Sequence, residues 1–261
     1  MNCEVEAMSR DSGAASPPHS SKRTLSARAL LITIVASLAV TSIFAVIVIS
    51  RLTQPEPVTS LRPFGIPANI PTALADQMGL SPTPNRPAPG FKLVDQSGRS
   101  FTLSSFRGRA VVLEFMDPHC VDICPIVSSE FVDAYRNLGS LASKVVFVAI
   151  NVNPNYRTTS DVLSFTREHN LSIIPDWHFL TGSLDALQAV WKHFGIEVIA
   201  PKPRGDVIHT SLIFFIDRWG HERFLASPMV EHTSSGKAYL PNASITSWGR
   251  GIELVARQLA R

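Results

Sequence analysis

Cys120 and Cys124 stand four residues apart in the stretch FMDPHCVDICPIV, immediately before Pro125. Thiolates are nucleophiles toward disulfides and soft ligands for metals, so residues of this type at this spacing can do redox chemistry, bind an ion, or both. A free thiol titrates near about 8.5, so only a few per cent is thiolate at neutral pH. Pro125 suits the first turn of a helix, which places Cys124 at a helix start, where the positive end of the dipole favours its thiolate. The spacing can bring both sulfurs to one point, either bonded to each other as a Cys120–Cys124 disulfide or on one soft cation such as Cu(I) or Zn(II). A plain staple is a poor use of so short a loop, because disulfide stabilisation grows with the length of chain enclosed.

Other side chains could join the pair. Of the eight histidines, His169 and His193 fall at predicted helix ends, His178 at a strand edge and His221 in a turn. His209 precedes a predicted central strand. His119 adjoins Cys120, where its imidazolium could lower the thiol pKa rather than share an ion with its neighbour. Asp122 reads as a solvated loop charge, Asp117 as either a loop charge or a ligand. Met116 and Met229 carry thioethers, although methionine more often fills gaps.

Strands and helices must hold these groups in place, and the sequence alternates between the two. FKLVDQSGRSFTL predicts two short strands around a Ser-Gly turn, and RAVVLEF a buried strand leading straight into the cysteines. PIVSSEFVDAYRNLG has helical spacing at Ile126, Val127, Phe131, Tyr135 and Leu138. KVVFVAINV follows as a second central strand. TTSDVLSFTREHN and SLDALQAVWKHFG open on Ser/Thr-Asp capping signals, TSLIFFID is a strand, and SITSWGRGIELVARQLAR a closing helix. The fold class is α/β, a sheet covered on both faces.

No charged residue occurs from Ala29 to Ser50. At about 1.5 Å per residue this stretch spans roughly 33 Å, the thickness of a bilayer core. It is longer than the apolar region of a signal peptide, so a transmembrane helix over 29–50 is expected. Arg10, Lys22, Arg23 and Arg28 precede it, against Arg51 and Arg62 beyond, which orients a disordered 1–28 tail toward the cytoplasm. Glu4, Glu6 and Asp11 make that tail too acidic for a mitochondrial transit peptide, so the expected location is a bacterial plasma membrane, single-pass, with the domain extracytoplasmic. Cys3 then lies in the reducing compartment, while Cys120 and Cys124 lie where disulfides persist. Residues 51–85, rich in proline, read as a tether. With 45% hydrophobic residues, 17% charged ones and a net charge of +3, the chain has the composition of a folded protein and no footprint for nucleic acid.

Strand, cysteine pair and helix in succession are the arrangement of thioredoxin-like proteins, and FMDPHCVDICP resembles more specifically the Sco/SenC family of copper-binding proteins, whose signature is C-x3-C before proline. PDWHFLTGS (Trp177, Leu180, Thr181, Gly182) and DVIHTSLIFFIDRWG, with His209, resemble the same family in the same order. Together with PGFKLVDQSGRSFTLSSFRGR they extend the likeness over 86–261. The resemblance implies a thioredoxin-like domain over those residues and copper, as Cu(I) or Cu(II), held by Cys120, Cys124 and His209. It also implies a metallochaperone role toward the copper-bearing subunit of cytochrome c oxidase, with an upstream thiol reductase or copper donor. The alternative is a thiol-disulfide oxidoreductase using the same cysteines on client proteins, although C-x3-C is not the common C-x2-C of thioredoxins. The chain departs from the family in having Ile208 before the motif histidine, with Asp206 further upstream, and NVNPNYRTT where members often carry an Asp-Pro loop.

Overall fold

The computed structural model describes residues 27–52, 64–202 and 207–261. The expected cytoplasmic tail with Cys3, part of the tether and Asp206 lie outside the described residues. The chain divides into two compact units, Met1–Thr59 and Ser60–Arg261.

The first unit contributes one helix, α1 (Ala27–Leu52). Apolar side chains such as Leu31, Val40, Phe44 and Ile49 stand exposed along it. Among the residues whose side chains are described, which omit Thr33, no helix is long and apolar enough to cross a membrane. The anchor therefore rests on the sequence.

In the second unit the chain runs through α2 (Thr72–Gln77), β1 (Ser81–Pro87), β2 (Lys92–Val94), β3 (Ser100–Thr102), β4 (Ala110–Met116), α3 (Ile123–Leu138) and β5 (Val145–Asn151). It continues with α4 (Thr159–Glu168), β6 (Trp177–Leu180), α5 (Leu184–Phe194), β7 (Val198–Ile199), β8 (Ile208–His209), β9 (Ile213–Ile216) and β10 (His221–Ala226). A small hairpin of β11 (Glu231–His232) and β12 (Ala238–Tyr239) precedes the closing helix α6 (Asn242–Leu259).

Among the described residues the main sheet has six strands in the order β1-β10-β9-β4-β5-β6. β4, β5 and β6 are parallel; β9, β10 and β1 run antiparallel. β4 and β5 are buried along their whole length, as strands covered on both faces should be. Alternation then sorts their side chains. Val112 and Met116 join Phe147, Phe215 and the apolar faces of α3, α4 and α6 in one core. Val111, Leu113 and Phe115 join α5 and the β2–β3 hairpin in the other. The capping signals act as read: Thr158 and Asp161 form a capping box on α4, and Ser183 accepts from Ala186 N–H at the start of α5.

Residues 64–87, read above mostly as tether, belong to this folded unit. Ile66, Ile70, Leu74 and Met78 recur every fourth residue and are buried in the α3/α6 core. The proline-rich SPTPNRP forms the outermost strand, antiparallel to β10 with an irregularity between Pro82 and Arg86. An edge strand is the place in a sheet where missing proline N–H groups cost least.

Candidate metal centre

β4 ends at Met116, and the chain turns through Asp117 to Cys120 before α3 begins at Ile123. Asp117 organises this turn. Its Oδ1 accepts from the His119 amide at 2.8 Å and from Asn153 Nδ2 at 2.9 Å, and its carbonyl accepts from the Cys120 amide at 3.1 Å. Asn153 is set in turn by Asn151, whose Oδ1 receives the Asn153 amide. Asp117 is thus a buried scaffold for the cysteine loop, and the NVNPNY loop after β5 is its support.

Both cysteines are free thiols. Cys124, 2% exposed, lies within the first turn of α3, and its amide donates to Cys120 Sγ at 3.4 Å. A hydrogen bond from the Cys124 thiol holds the Cys120 thiol down at about 7, helped by the Cys124 and Asp122 amides against desolvation and the Asp117 charge. Donating that hydrogen bond, together with burial and the charge on Cys120, pushes Cys124 well above the ordinary thiol range. The helix-start argument expected the easier thiolate at Cys124; it sits at Cys120, because the inner sulfur keeps its proton to donate to the outer one and is buried besides.

His119 makes its ring contacts with Tyr156 and Asp161. Its ring stacks on Tyr156 with centroids 3.7 Å apart, and its Nε2 lies 3.8 Å from Asp161 Oδ1. Asp122 is half exposed and is held at 3.1 Å by His232 Nε2 from the β11–β12 hairpin. A cavity of about 720 Å³ opens over the loop, lined by Asp117, His119, Cys120, Tyr156, Ile208 and Lys237 among others.

His209 lies on β8, paired with Val198 of β7, and its neighbours Val207 and Ile208 line the cavity that contains Cys120. Its Nδ1 is 3.0 Å from the Thr210 carbonyl. A carbonyl only accepts, so Nδ1 carries the proton and Nε2 keeps its lone pair for a ligand. Desolvation lowers the imidazole pKa, with the Thr210 carbonyl and the Asp117 charge acting in the opposite direction. Burial thus favours the neutral ring, the form that binds metals. Among the described residues no three His, Cys, Asp or Glu side chains are gathered closely enough to hold an ion. The structure thus brings Cys120 and Cys124 into contact and sets His209 beside their cavity without closing a three-ligand cluster.

The sequence pattern of the SCO1/SenC family matches residues 81–234, more than half of the chain. The chain belongs to the SCO1/SenC family. It is similar to the SCO1 protein homolog of Bacillus subtilis (strain 168), 25% identical over 128 residues that make up 48% of this chain and 66% of that one. The chain thus spans just under two thirds of that relative's length. A SCO1/SenC family lipoprotein from Bacillus anthracis str. Ames superposes with a TM-score of 0.54 at 23% identity, over 69% of this chain and 98% of its own. ScoI of Bradyrhizobium japonicum, a structure with copper bound, gives 0.50 at 23% identity, over 64% and 98%. At these identities the likeness speaks for the fold, which is the expected mixed α/β, thioredoxin-like one.

In this SCO1/SenC chain the motif reading missed Glu114, Tyr156, Ser211 and His232. Tyr156 and His232 carry no local sequence signal, since their partners His119 and Asp122 are remote in the chain. Glu114 did carry one: it is the lone carboxyl in the otherwise apolar strand AVVLEFM.

Proposed function

We propose that this chain is a membrane-anchored, copper-binding metallochaperone for the copper centre of cytochrome c oxidase. The observation that carries the reading is the division of labour between the two thiols beside an imidazole whose Nδ1–H is committed to the Thr210 carbonyl, which leaves the lone pair on Nε2. Cys120 and Cys124 supply soft thiolates and His209 an imidazole, a donor set suited to Cu(I) and to Cu(II). The copper-bound relative of the same fold supports the choice of ion. Copper is cargo here: capture brings His209 together with the cysteines, and release to the copper-bearing subunit reverses it. The dithiol must be reduced first, since a Cys120–Cys124 disulfide has no thiolate to offer, so an upstream reductase or a copper donor precedes loading. The uncharged stretch from Ala29 to Ser50, within α1, would hold the folded unit that carries the cysteines at the outer face of a bacterial plasma membrane.

A second reading, thiol-disulfide oxidoreductase, is favoured by the same asymmetry. Cys120, accessible and easily ionised, would attack a client disulfide, and the inner Cys124 would resolve the mixed disulfide, leaving the client with two thiols and this chain with one disulfide.

His209 separates the two. Copper titration of the reduced protein is expected to give thiolate–Cu(II) charge-transfer absorption that His209→Ala loses or shifts, with disulfide exchange largely kept. A folded His209→Ala protein that binds copper as the parent does would remove the three-ligand reading.

A further inference from the structure

Glu114 is 1% exposed, in the middle of a strand that is otherwise apolar. One oxygen, Oε1, accepts a 2.8 Å hydrogen bond from Ser211 Oγ; the other, Oε2, has no partner among the described residues. A half-satisfied carboxyl inside a core is costly, and an apolar side chain of similar volume is often neutral or better. Burial drives its pKa up to about 8, opposed by the Ser211 hydroxyl, so it brings no useful charge to the fold. Its single polar contact is the clue to its role.

Ser211 lies two residues after His209 and two before β9 begins at Ile213. His209, Thr210 and Ser211 are each held by hydrogen bonds, and His209 also pairs with Val198 of β7. His209 Nδ1 donates to the Thr210 carbonyl. Thr210 exchanges bonds with Glu197, its amide donating to the Glu197 carbonyl at 3.1 Å and its hydroxyl accepting from the Glu197 amide at 3.2 Å. Ser211 is fixed by Glu114. The bonds of His209 and Thr210 tie the segment to itself and to the residue before β7. The Glu114 bond ties it to β4, the strand that runs directly into Asp117 and Cys120. We propose that Glu114 and Ser211 form a buried tether that positions His209 relative to the cysteine loop. Glu114 is a positioning residue in this arrangement: it reaches His209 only through Ser211, and its charge is a minor contribution to the raised Cys124 thiol. The inference rests on the copper reading for its purpose, and on the hydrogen bond alone for its existence.

Partners that orient a metal-binding histidine typically govern affinity by about 10- to 100-fold. With the reduced full-length protein in detergent, Ser211→Ala and Glu114→Leu are each expected to weaken copper binding by about tenfold or more. Glu114→Gln keeps an acceptor oxygen for Ser211 and is expected to restore most of the affinity lost in Glu114→Leu. In a His209→Ala background neither change should cost anything further. Glu114→Leu should also melt at the same temperature or higher, which separates loss of positioning from loss of fold. Without copper, nitrogen-15 spectra of the His209 ring should show one Nδ1–H tautomer in the parent and averaged signals in Ser211→Ala. The tether is overturned if Ser211→Ala leaves the ring signals unchanged, if it weakens binding equally without His209, or if Glu114→Gln is as damaging as Glu114→Leu. Should His209→Ala bind copper normally, the copper reading falls, and the ring signals of the metal-free variants still decide the tether.

Discussion

At the scale of single residues, the chemistry turns on two identical side chains with opposite proton affinities. Cys124 is buried and donates; Cys120 is partly exposed and accepts, from the Cys124 thiol first and then from two amides. The outer thiol is accordingly half ionised near pH 7, where an ordinary one is almost wholly protonated. Alkylation by iodoacetamide, followed by peptide mass spectrometry, should label Cys120 with a midpoint at about 7 and leave Cys124 unlabelled well into alkaline pH. Because the Cys124 thiol is the largest cause of the lowering, Cys124→Ala should move the Cys120 midpoint upward; an unmoved midpoint would show that the pair does not share a proton. The pair itself was legible, since spacing and the following proline are local facts. Which sulfur ionises was not, because it depends on how deeply α3 buries its first turn, and that is set by α6 and the sheet.

At the scale of elements, α3 carries Cys124 and is held in place chiefly by α6. The two helices meet at Gly249, where an added Cβ would come within 2.7 Å of Asp133 Cβ and 3.1 Å of the Glu130 carbonyl oxygen. Backbone cannot swing aside as a side-chain tip can, so the helices would have to separate. Gly249→Ala is expected to cost about 1–3 kcal/mol in urea unfolding, the range for overpacking a close contact; an unchanged midpoint would show that the helices tolerate separation. The strands and helices around the site were readable because β4 and β5 are short, nearly continuous apolar runs and α3 and α5 keep the helical period. The packing of residues 64–87 was masked by composition. Prolines in SPTPNRP suggested a solvated chain, whereas in the structure Ile66, Ile70, Leu74 and Met78, at intervals of four, form a buried face. Only the position of that strand at the edge of the sheet reconciles the two signals, and edge position follows from pairing with β10, more than a hundred residues away.

At the scale of the whole folded unit, its buried acids make stability depend on pH in an unusual direction. Glu253 is buried between Arg250 and Arg257, but Glu114 and Glu130 have no cationic partner among the described residues. Burial raises Glu114 to about 8, and burial with the Glu114 charge raises Glu130 to about 9, from 4.5. Folded protein therefore keeps protons that the unfolded chain releases above about pH 4.5. A raised carboxyl stabilises fully below its unfolded pKa and loses that contribution as pH climbs through the folded one. Each group alone contributes a slope of up to about −1.4 kcal/mol per pH unit across its window. Other groups overlap: the lowered His178 and His209 favour folding as pH rises through 6.5, and the lowered Cys120 does so between about 7 and 9. The difference between parent and Glu114→Leu cancels those shared terms to the extent that the sites act independently. The stability advantage of Glu114→Leu should grow steadily from about pH 5 to pH 8 and then level off. Urea unfolding at half-unit pH steps measures it, and a difference that stays flat across that range would mean that Glu114 ionises in the folded protein much as it does in the unfolded chain.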